Sequence, residues 1–168
     1  MPCSVNTLRA SLLDTSAVAH GSQFSQLSAV IYQKMERPLE VLETCLYVDD
    51  LVAAEEFYAD VLGLVFVSRH ENRHVFFRCG STMLLLFDPR VSSDKSSEVP
   101  THGSHGPGHV AFSVPHDEME AWTARLDQHG VAIEQRVTWP NGGRSIYFRD
   151  PAGNSLEFAT RDLWNLAP

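Results

Sequence analysis

From residue 39 onward, apolar and polar positions alternate in short runs that are typical of β-strands, and the runs are interrupted by one stretch with helical spacing. That stretch begins at Asp50, carries Ala54, Phe57, Tyr58, Val61 and Leu62 on its apolar face, and ends at Gly63. The strands predicted around it are 41–48, 64–67, 74–79 and 82–87. The order is therefore strand, helix and three strands.

The same order returns after residues 88–108, a stretch rich in Ser, Gly and Pro that is typical of a linker. Met119, Trp122 and Leu126 form the apolar face of a second helix, which Gly130 closes. The strands predicted around this helix are 109–114, 132–139, 144–149 and 155–160. The two runs form a repeat of about 66 residues, and half-open modules of this kind must pack together to cover their sheets.

The repeat predicts an α+β fold in which two tandem βαβββ modules form a curved, eight-stranded cup. The expected division is an extension over 1–38 and a single domain over 39–168, with module one at 39–88, a linker at 89–107 and module two at 108–162. The extension lacks the repeat pattern. Its sequence leaves open an ordered accessory helix, an added upstream stretch before Met35, or a leader.

Charge and composition exclude several classes of partner. The 168 residues include 21 acidic and 13 basic side chains, which give a formal charge of −8. Nucleic acids and anionic membrane surfaces bind clustered Lys and Arg, so we do not expect them as partners. The longest apolar runs fall short of the roughly 20 residues that span a bilayer. Three cysteines without a CxxC motif suit a reducing compartment, so we expect a cytoplasmic protein in which Cys45 and Cys79 are buried.

Three side chains at related positions of the repeat suggest a metal site. Glu43 and His109 occupy equivalent places in the first strands of the two modules, and Glu157 lies in the last strand, where alternation turns Leu156 and Phe158 to the opposite face. Two carboxylates and one imidazole are suitable ligands for a divalent cation and leave positions open for water or substrate. We therefore expect these three side chains to converge in the cup.

Several motifs resemble a known family. Residues 43–51 read Glu-Thr-Cys-Leu-Tyr-Val-Asp-Asp-Leu, residues 108–112 read Gly-His-Val-Ala-Phe, and residues 150–157 carry the pattern Asp-Pro-x-Gly-Asn-x-x-Glu. Together they resemble the vicinal oxygen chelate superfamily, the glyoxalase/bleomycin resistance/dioxygenase group, over about residues 39–165. Fold in this group does not fix function.

The resemblance implies a metal-ligand set with two departures from the family pattern. The first-strand ligand, usually His or Gln, falls on Glu43, the second-module His on His109 and the closing Glu on Glu157. A fourth position falls on Leu85, which cannot ligate and argues against a standard glyoxalase I. Glu43 in place of His argues against an extradiol dioxygenase. One imidazole among carboxylates favours Mn²⁺, Mg²⁺ or Fe²⁺ as cofactor and leaves Zn²⁺ and Ni²⁺ open.

Neighbouring strand positions predict the substrate-binding walls. Tyr147 and Arg149 lie on the polar face of one strand, and the repeat sets Phe76 and His74 opposite that strand's residues. We expect His74 to act as an acid or base beside Glu43 and Glu157, and Trp139 to cap the cup or pack on a partner subunit.

These expectations support a metal-dependent enzyme of the lyase, isomerase or epimerase type that acts on a small oxygen-chelating substrate as a homodimer. One alternative is a metal-free binding protein like the bleomycin resistance members, in which Glu157 would form an ion pair with Arg144 or Arg149. A third possibility is a glyoxalase I or a thiol-dependent antibiotic-modifying enzyme.

Overall fold

A computed structural model describes residues 39–96 and 99–166 of the chain. The described residues from Val41 onward belong to one compact unit. The predicted extension over 1–38 lies outside the described residues.

Each module forms one four-stranded sheet, which confirms the predicted pair of βαβββ modules. The first module contains β1 (Glu43–Tyr47), α1 (Leu51–Glu56), β2 (Val65–His70), β3 (His74–Cys79) and β4 (Thr82–Phe87). The second contains β5 (His109–Ser113), α3 (Met119–Gln128), β6 (Ile133–Thr138), β7 (Arg144–Arg149) and β8 (Ser155–Ala159). The strand orders are β1-β4-β3-β2 and β5-β8-β7-β6, so the eight strands are divided between two equivalent sheets.

The two sheets repeat each other in register as well as in order. The first strand of each module pairs in parallel with the last, and the other neighbours are antiparallel. Both second strands carry an irregularity at corresponding positions, between Phe66 and Ser68 and between Ile133 and Gln135. This agreement supports the repeat that the sequence indicates.

The first helix begins where the sequence predicts and changes type before it ends. The Asp50 carboxylate accepts hydrogen bonds from the backbone N–H groups of Val52 and Ala53, both at 3.0 Å, and so caps α1. The second half, Phe57–Val61, is a π-helical turn rather than the expected α-helix. Gly63 then adopts a φ of +66°, the left-handed conformation that ends the helix.

A short helix, α2 (Pro89–Ser92), lies within the predicted linker. Asp88 caps it by accepting a 2.8 Å hydrogen bond from the backbone N–H of Arg90, and Pro89 takes the first helical position, where a missing N–H costs nothing. Asp88 followed by Pro89 is a typical helix N-terminus. The Ser and Gly content of this stretch predicted a linker instead.

The core joins the two modules through the helix-facing sides of both sheets. Its largest fully buried side chains come from both: Tyr58, Phe77, Phe148 and Phe158. The Tyr58 hydroxyl donates a 2.9 Å hydrogen bond to the Asp150 carboxylate across the module boundary. Within 39–96 and 99–166, no helix is long and apolar enough to cross a membrane.

Candidate functional site

The face of each sheet that points away from the core lines its own cavity. The cavity on the first sheet, here the module 1 cavity, has a volume of about 870 Å³ and is bordered by Glu43, His74, Phe76 and Leu85. The cavity on the second sheet, the module 2 cavity, has a volume of about 470 Å³; His109, Trp139, Tyr147 and Glu157 line it. The described chain therefore presents two separate cavities, one on each sheet.

In the module 2 cavity, the register of β5 and β8 brings an imidazole and a buried carboxylate together. Glu157 is only 5% exposed, whereas half of the His109 side chain is accessible. The Nε2 atom of His109 lies 3.3 Å from Oε2 of Glu157, and its Nδ1 atom lies 3.0 Å from the backbone oxygen of Ser155. Since a carbonyl oxygen can only accept, Nδ1 donates to Ser155, and Nε2 is the ring nitrogen that faces Glu157.

This pair fits a divalent cation. Two ligand atoms that each lie about 2.1 Å from one ion, at tetrahedral or octahedral angles, are about 3.0–3.4 Å from each other. The observed 3.3 Å between His109 Nε2 and Glu157 Oε2 falls within this range. A hydrogen bond from the second ring nitrogen to a backbone carbonyl is typical of ligating histidines. The other oxygen of Glu157, Oε1, is buried and has no hydrogen-bond partner among the described residues. A divalent cation bound beside His109 would give this oxygen a partner.

The arginines that might have neutralised Glu157 are engaged elsewhere. Arg144 forms an ion pair with Glu120 at 2.5 Å, and Arg149 forms one with Glu134 at 2.9 Å. Arg149 is exposed and is not among the residues that line the module 2 cavity. The structure therefore does not place Arg149, a predicted substrate-binding residue, at the site.

Glu43 lies apart from the other two predicted ligands. It lines the module 1 cavity, whereas His109 and Glu157 line the module 2 cavity. Among residues 39–96 and 99–166, no group of three His, Cys, Asp or Glu side chains is arranged to hold a metal within one chain. The expected convergence of all three ligands is thus absent from the described single chain.

Tyr147 and Trp139 line the same cavity as the His109–Glu157 pair. The Tyr147 ring stacks on His109 with centroids 6.5 Å apart. Burial raises the pKa of Tyr147 and the Glu157 carboxylate raises it further, while a hydrogen bond with Ser145 acts in the opposite direction. Tyr147 is therefore a protonated hydroxyl at neutral pH.

The C-terminal segment forms a wall of the module 2 cavity that sequence patterns did not reveal. Leu163 and Trp164 line it, opposite Trp139, whose indole N–H donates to the Ser145 hydroxyl at 2.9 Å. The Asn141 amide fixes the segment by donating to two of its backbone oxygens, including that of Leu163 at 3.1 Å. The only sequence feature that indicates this contact is the Asn-Gly-Gly turn at 141–143, because a glycine at 143 lets the turn lie close to the backbone of Leu163.

The module 1 cavity combines a proton-accepting imidazole with an apolar floor. His74 stacks on Phe76 with ring centroids 3.9 Å apart, and Phe76 lies opposite Leu85 in the sheet. Burial, and then the nearby His70 and Arg73, lower the pKa of His74. His74 is therefore neutral at pH 7 and able to accept a proton.

Two features of this cavity were missed or misread in the sequence. Cys45, expected to be buried, is exposed on the same face as Glu43, because β1 is an edge strand with little cover there. The Nδ1 atom of His102, in the linker, lies 2.9 Å from the Tyr47 hydroxyl, within hydrogen-bond distance, and the His102 ring packs edge-on against Phe87. The Gly-rich linker holds two histidines, His102 and His105, and its composition did not indicate which of them would make this contact.

Comparison with known proteins identifies relatives over most of the chain. The model of the Glyoxalase/Bleomycin resistance protein/Dioxygenase superfamily matches residues 40–158. Glutathione transferase FosA of Serratia marcescens is 31% identical over 118 residues, 70% of this chain and 78% of that protein. Metallothiol transferase FosB of Staphylococcus epidermidis is 30% identical over 122 residues, 71% of this chain and 80% of that protein.

A solved structure shares both sequence and fold. The crystal structure of lactoylglutathione lyase from Agrobacterium tumefaciens is 45% identical, with a TM-score of 0.74, and the match covers 78% of this chain and all of that one.

Proposed function

This chain belongs to the glyoxalase/bleomycin resistance protein/dioxygenase superfamily, and from that premise we propose that it is a divalent-metal-dependent enzyme of the glyoxalase-like type acting on a small oxygen-chelating substrate. The observation that carries the proposal is the His109–Glu157 pair, with one unpartnered buried carboxylate oxygen and an imidazole already oriented by Ser155. These two side chains would hold the ion from one chain.

Glu43 would complete the ligand set from a second copy of the chain. Its half-site and the His109–Glu157 half-site lie on equivalent faces of two equivalent sheets, so a twofold partner can set module one of one chain against module two of the other. Both first strands are sheet edges, and Glu43, Thr44 and Cys45 are exposed on β1. The active form is then a homodimer with two shared sites.

The ion, when bound, supplies Lewis-acid stabilisation of negative charge on a substrate oxygen. The chain's own residues supply the rest. Tyr147 directs a neutral hydroxyl toward the space beside Glu157 and orients a substrate oxygen, and Trp139 restricts that space. His74, whose pKa is lowered by burial and then by His70 and Arg73, accepts a proton from the substrate and returns it.

Elemental analysis of protein purified without chelator tests the proposal. We expect a stoichiometric divalent ion that is lost from the H109A and E157A variants. Glu118→Ala and His129→Ala are matched controls on exposed side chains and should retain it. Absence of metal, even after incubation with Mn²⁺, Fe²⁺, Ni²⁺, Zn²⁺ and Mg²⁺, would support the metal-free binding alternative instead.

A second candidate, thiol-dependent modification or isomerisation, is favoured by the names of the similar proteins, which include a glutathione transferase, metallothiol transferases and a lactoylglutathione lyase. Leu85 and Glu43 depart from the ligand pattern that the family resemblance implies. Turnover of fosfomycin with glutathione, or of a glutathione hemithioacetal, by the metal-loaded protein would establish this narrower activity. No turnover of either would exclude it and leave the broader proposal standing.

A further inference from the structure

Polar and apolar groups occupy different ends of the module 2 cavity. The register of β7 and β8 sets Tyr147 opposite Glu157. Two residues further along the same pair of strands, Ser145 lies opposite Ala159. At about 3.3 Å per strand residue, these two rows are about 7 Å apart. The row at Glu157 is the one assigned above to the metal, and the row at Ser145 leads to the β6–β7 turn and to the end of β8.

The end of the cavity next to Ser145 is apolar. Trp139 and Pro140 reach it from the β6–β7 turn, and Leu163 and Trp164 reach it from the turn that follows β8. The Trp164 side chain is 73% exposed, so the rest of the described chain leaves most of its indole uncovered. Two segments that are distant in the sequence thus contribute one apolar wall to the cavity.

The polar groups of this wall already have partners inside the protein. The indole N–H of Trp139 donates to the Ser145 hydroxyl at 2.9 Å. The Asn141 amide donates to two backbone oxygens of the C-terminal turn, including that of Leu163, and its Oδ1 accepts from the N–H of Gly143 at 3.2 Å. These groups therefore hold the wall together, and the contact that the wall offers to a ligand is mainly apolar.

The turn that carries Trp164 is held in place by its backbone. The backbone N–H of Leu163 donates to the backbone oxygen of Thr160 at 3.1 Å. Asn165 closes the turn in the left-handed conformation, with a φ of +52°, which asparagine adopts more readily than most side chains. A Cβ at Gly143 would lie 2.8 Å from the backbone of Leu163. Because the turn is fixed in advance, a ligand that packs on Trp164 loses less ordering entropy.

We infer that the substrate carries an apolar group about the size of an aromatic ring next to its chelating oxygens, and that this group packs against Trp139, Leu163 and Trp164. The inference rests on the proposed function for the position of the chelating oxygens. The cavity volume of about 470 Å³ is in the range of pockets that hold one small ligand. Trp164 is then a specificity-determining residue, and Asn141 is a positioning residue that holds the turn.

Two hydroxamates with the same chelating group test this inference on the full-length, metal-loaded protein. Benzohydroxamate carries a ring, whereas acetohydroxamate carries only a methyl group. By calorimetry, we expect the unmodified protein to bind benzohydroxamate roughly tenfold more tightly. Trp164→Ala should lower this ratio roughly threefold and leave the affinity for acetohydroxamate unchanged. Leu166→Ala, which truncates an exposed apolar side chain of the same segment outside this cavity, should preserve the ratio.

A second variant tests the support of the wall. Asn141→Ala removes the hydrogen bonds that hold the turn, and it should lower the ratio about as much as Trp164→Ala does. Asn72→Ala, which truncates an amide in an exposed turn away from this cavity, is the matched control and should preserve the ratio. A general loss of structure would weaken both probes alike, because both use the same chelating group, and would contradict the role given to Asn141.

The failure of this inference can be told apart from the failure of the metal proposal. If the protein binds metal and the ratio is the same in the unmodified protein and in Trp164→Ala, the inference is overturned and the metal proposal stands. If the protein binds no metal, saturation-transfer NMR with benzohydroxamate decides: saturation of the ring protons that Trp164→Ala removes supports the inference, and absent or equal saturation overturns it.

Sedimentation of Trp164→Ala tests the other use of an exposed indole. An assembly of the same size as the unmodified protein is expected, because the indole serves the ligand. A smaller assembly would assign Trp164 to a subunit interface and overturn the inference.

Discussion

Replacing Asn154 by alanine should strongly destabilise the protein, because its side chain is buried and makes three hydrogen bonds. The buried Asn154 side chain accepts a 2.7 Å hydrogen bond from the backbone N–H of Gly108 and donates to the backbone oxygen of Tyr47 at 3.1 Å. It also donates to the carboxylate of Asp150 at 2.8 Å. One side chain thus joins the end of β1 to the starts of β5 and β8.

The magnitude follows from the groups left behind. Two backbone groups without partners cost about 1 kcal/mol each or more, and the lost bond to a charged group costs about 1.5–3 kcal/mol, so the total is about 4 kcal/mol. Because Gly108 precedes His109, the alanine variant should also bind metal roughly tenfold more weakly.

Urea unfolding followed by circular dichroism, at fixed protein concentration, measures the first effect. Asn72→Ala, in an exposed turn, is the matched control and should change the free energy of unfolding by less than about 0.5 kcal/mol. A loss below about 1 kcal/mol in the Asn154 variant would refute the view that this side chain joins the two modules.

Three other substitutions test separate parts of the account. Asp50→Ala removes the cap of α1 and should cost about 1 kcal/mol in denaturant unfolding; an unchanged midpoint would contradict the cap's role. Gly143→Ala should lower the melting temperature more than Gly80→Ala, because a Cβ at position 143 would lie 2.8 Å from the backbone of the C-terminal turn. At Gly80 a Cβ meets no neighbouring atom, and the only cost is the strain of an alanine at a φ of +59°, about 1 kcal/mol. The reverse ranking would contradict the close packing at Gly143. Burial and the Asp150 carboxylate raise the pKa of Tyr58 well above its usual value, so the native state favours the neutral phenol and loses stability as pH rises beyond about 10; Tyr58→Phe should show a smaller loss over that range, and an identical loss would contradict the assignment.

In β3 and β8, local pattern was sufficient to predict which residues face the core and which face a cavity. Alternation in β8 sends Leu156 and Phe158 into the core and leaves Ser155 and Glu157 on the other face, as observed. The same rule placed His74 and Phe76 together on β3. Successive side chains of a strand point to opposite faces, so the face of each residue can be predicted from its neighbours in the sequence.

Relations between distant segments could not be predicted in this way. Nothing in the sequence specified that Arg144 would pair with Glu120 rather than with Glu157, since both acids are compatible with its position. The orientation of His109 depends on the backbone oxygen of Ser155, a group present at every residue. The separation of Glu43 from the other predicted ligands depends on how the two sheets pack, which periodicity does not encode.

The shared metal site can be tested most directly by mixing two inactive variants, Glu43→Ala and Glu157→Ala, and allowing the subunits to exchange. If Glu43 of one copy completes the His109–Glu157 site of another, half of the dimers are mixed and one of their two sites is intact, so the mixture should hold about a quarter of the metal of the unmodified protein. Each variant alone should hold none. A mixture that recovers no metal, while the unmodified protein binds it stoichiometrically, would contradict a site built from two copies.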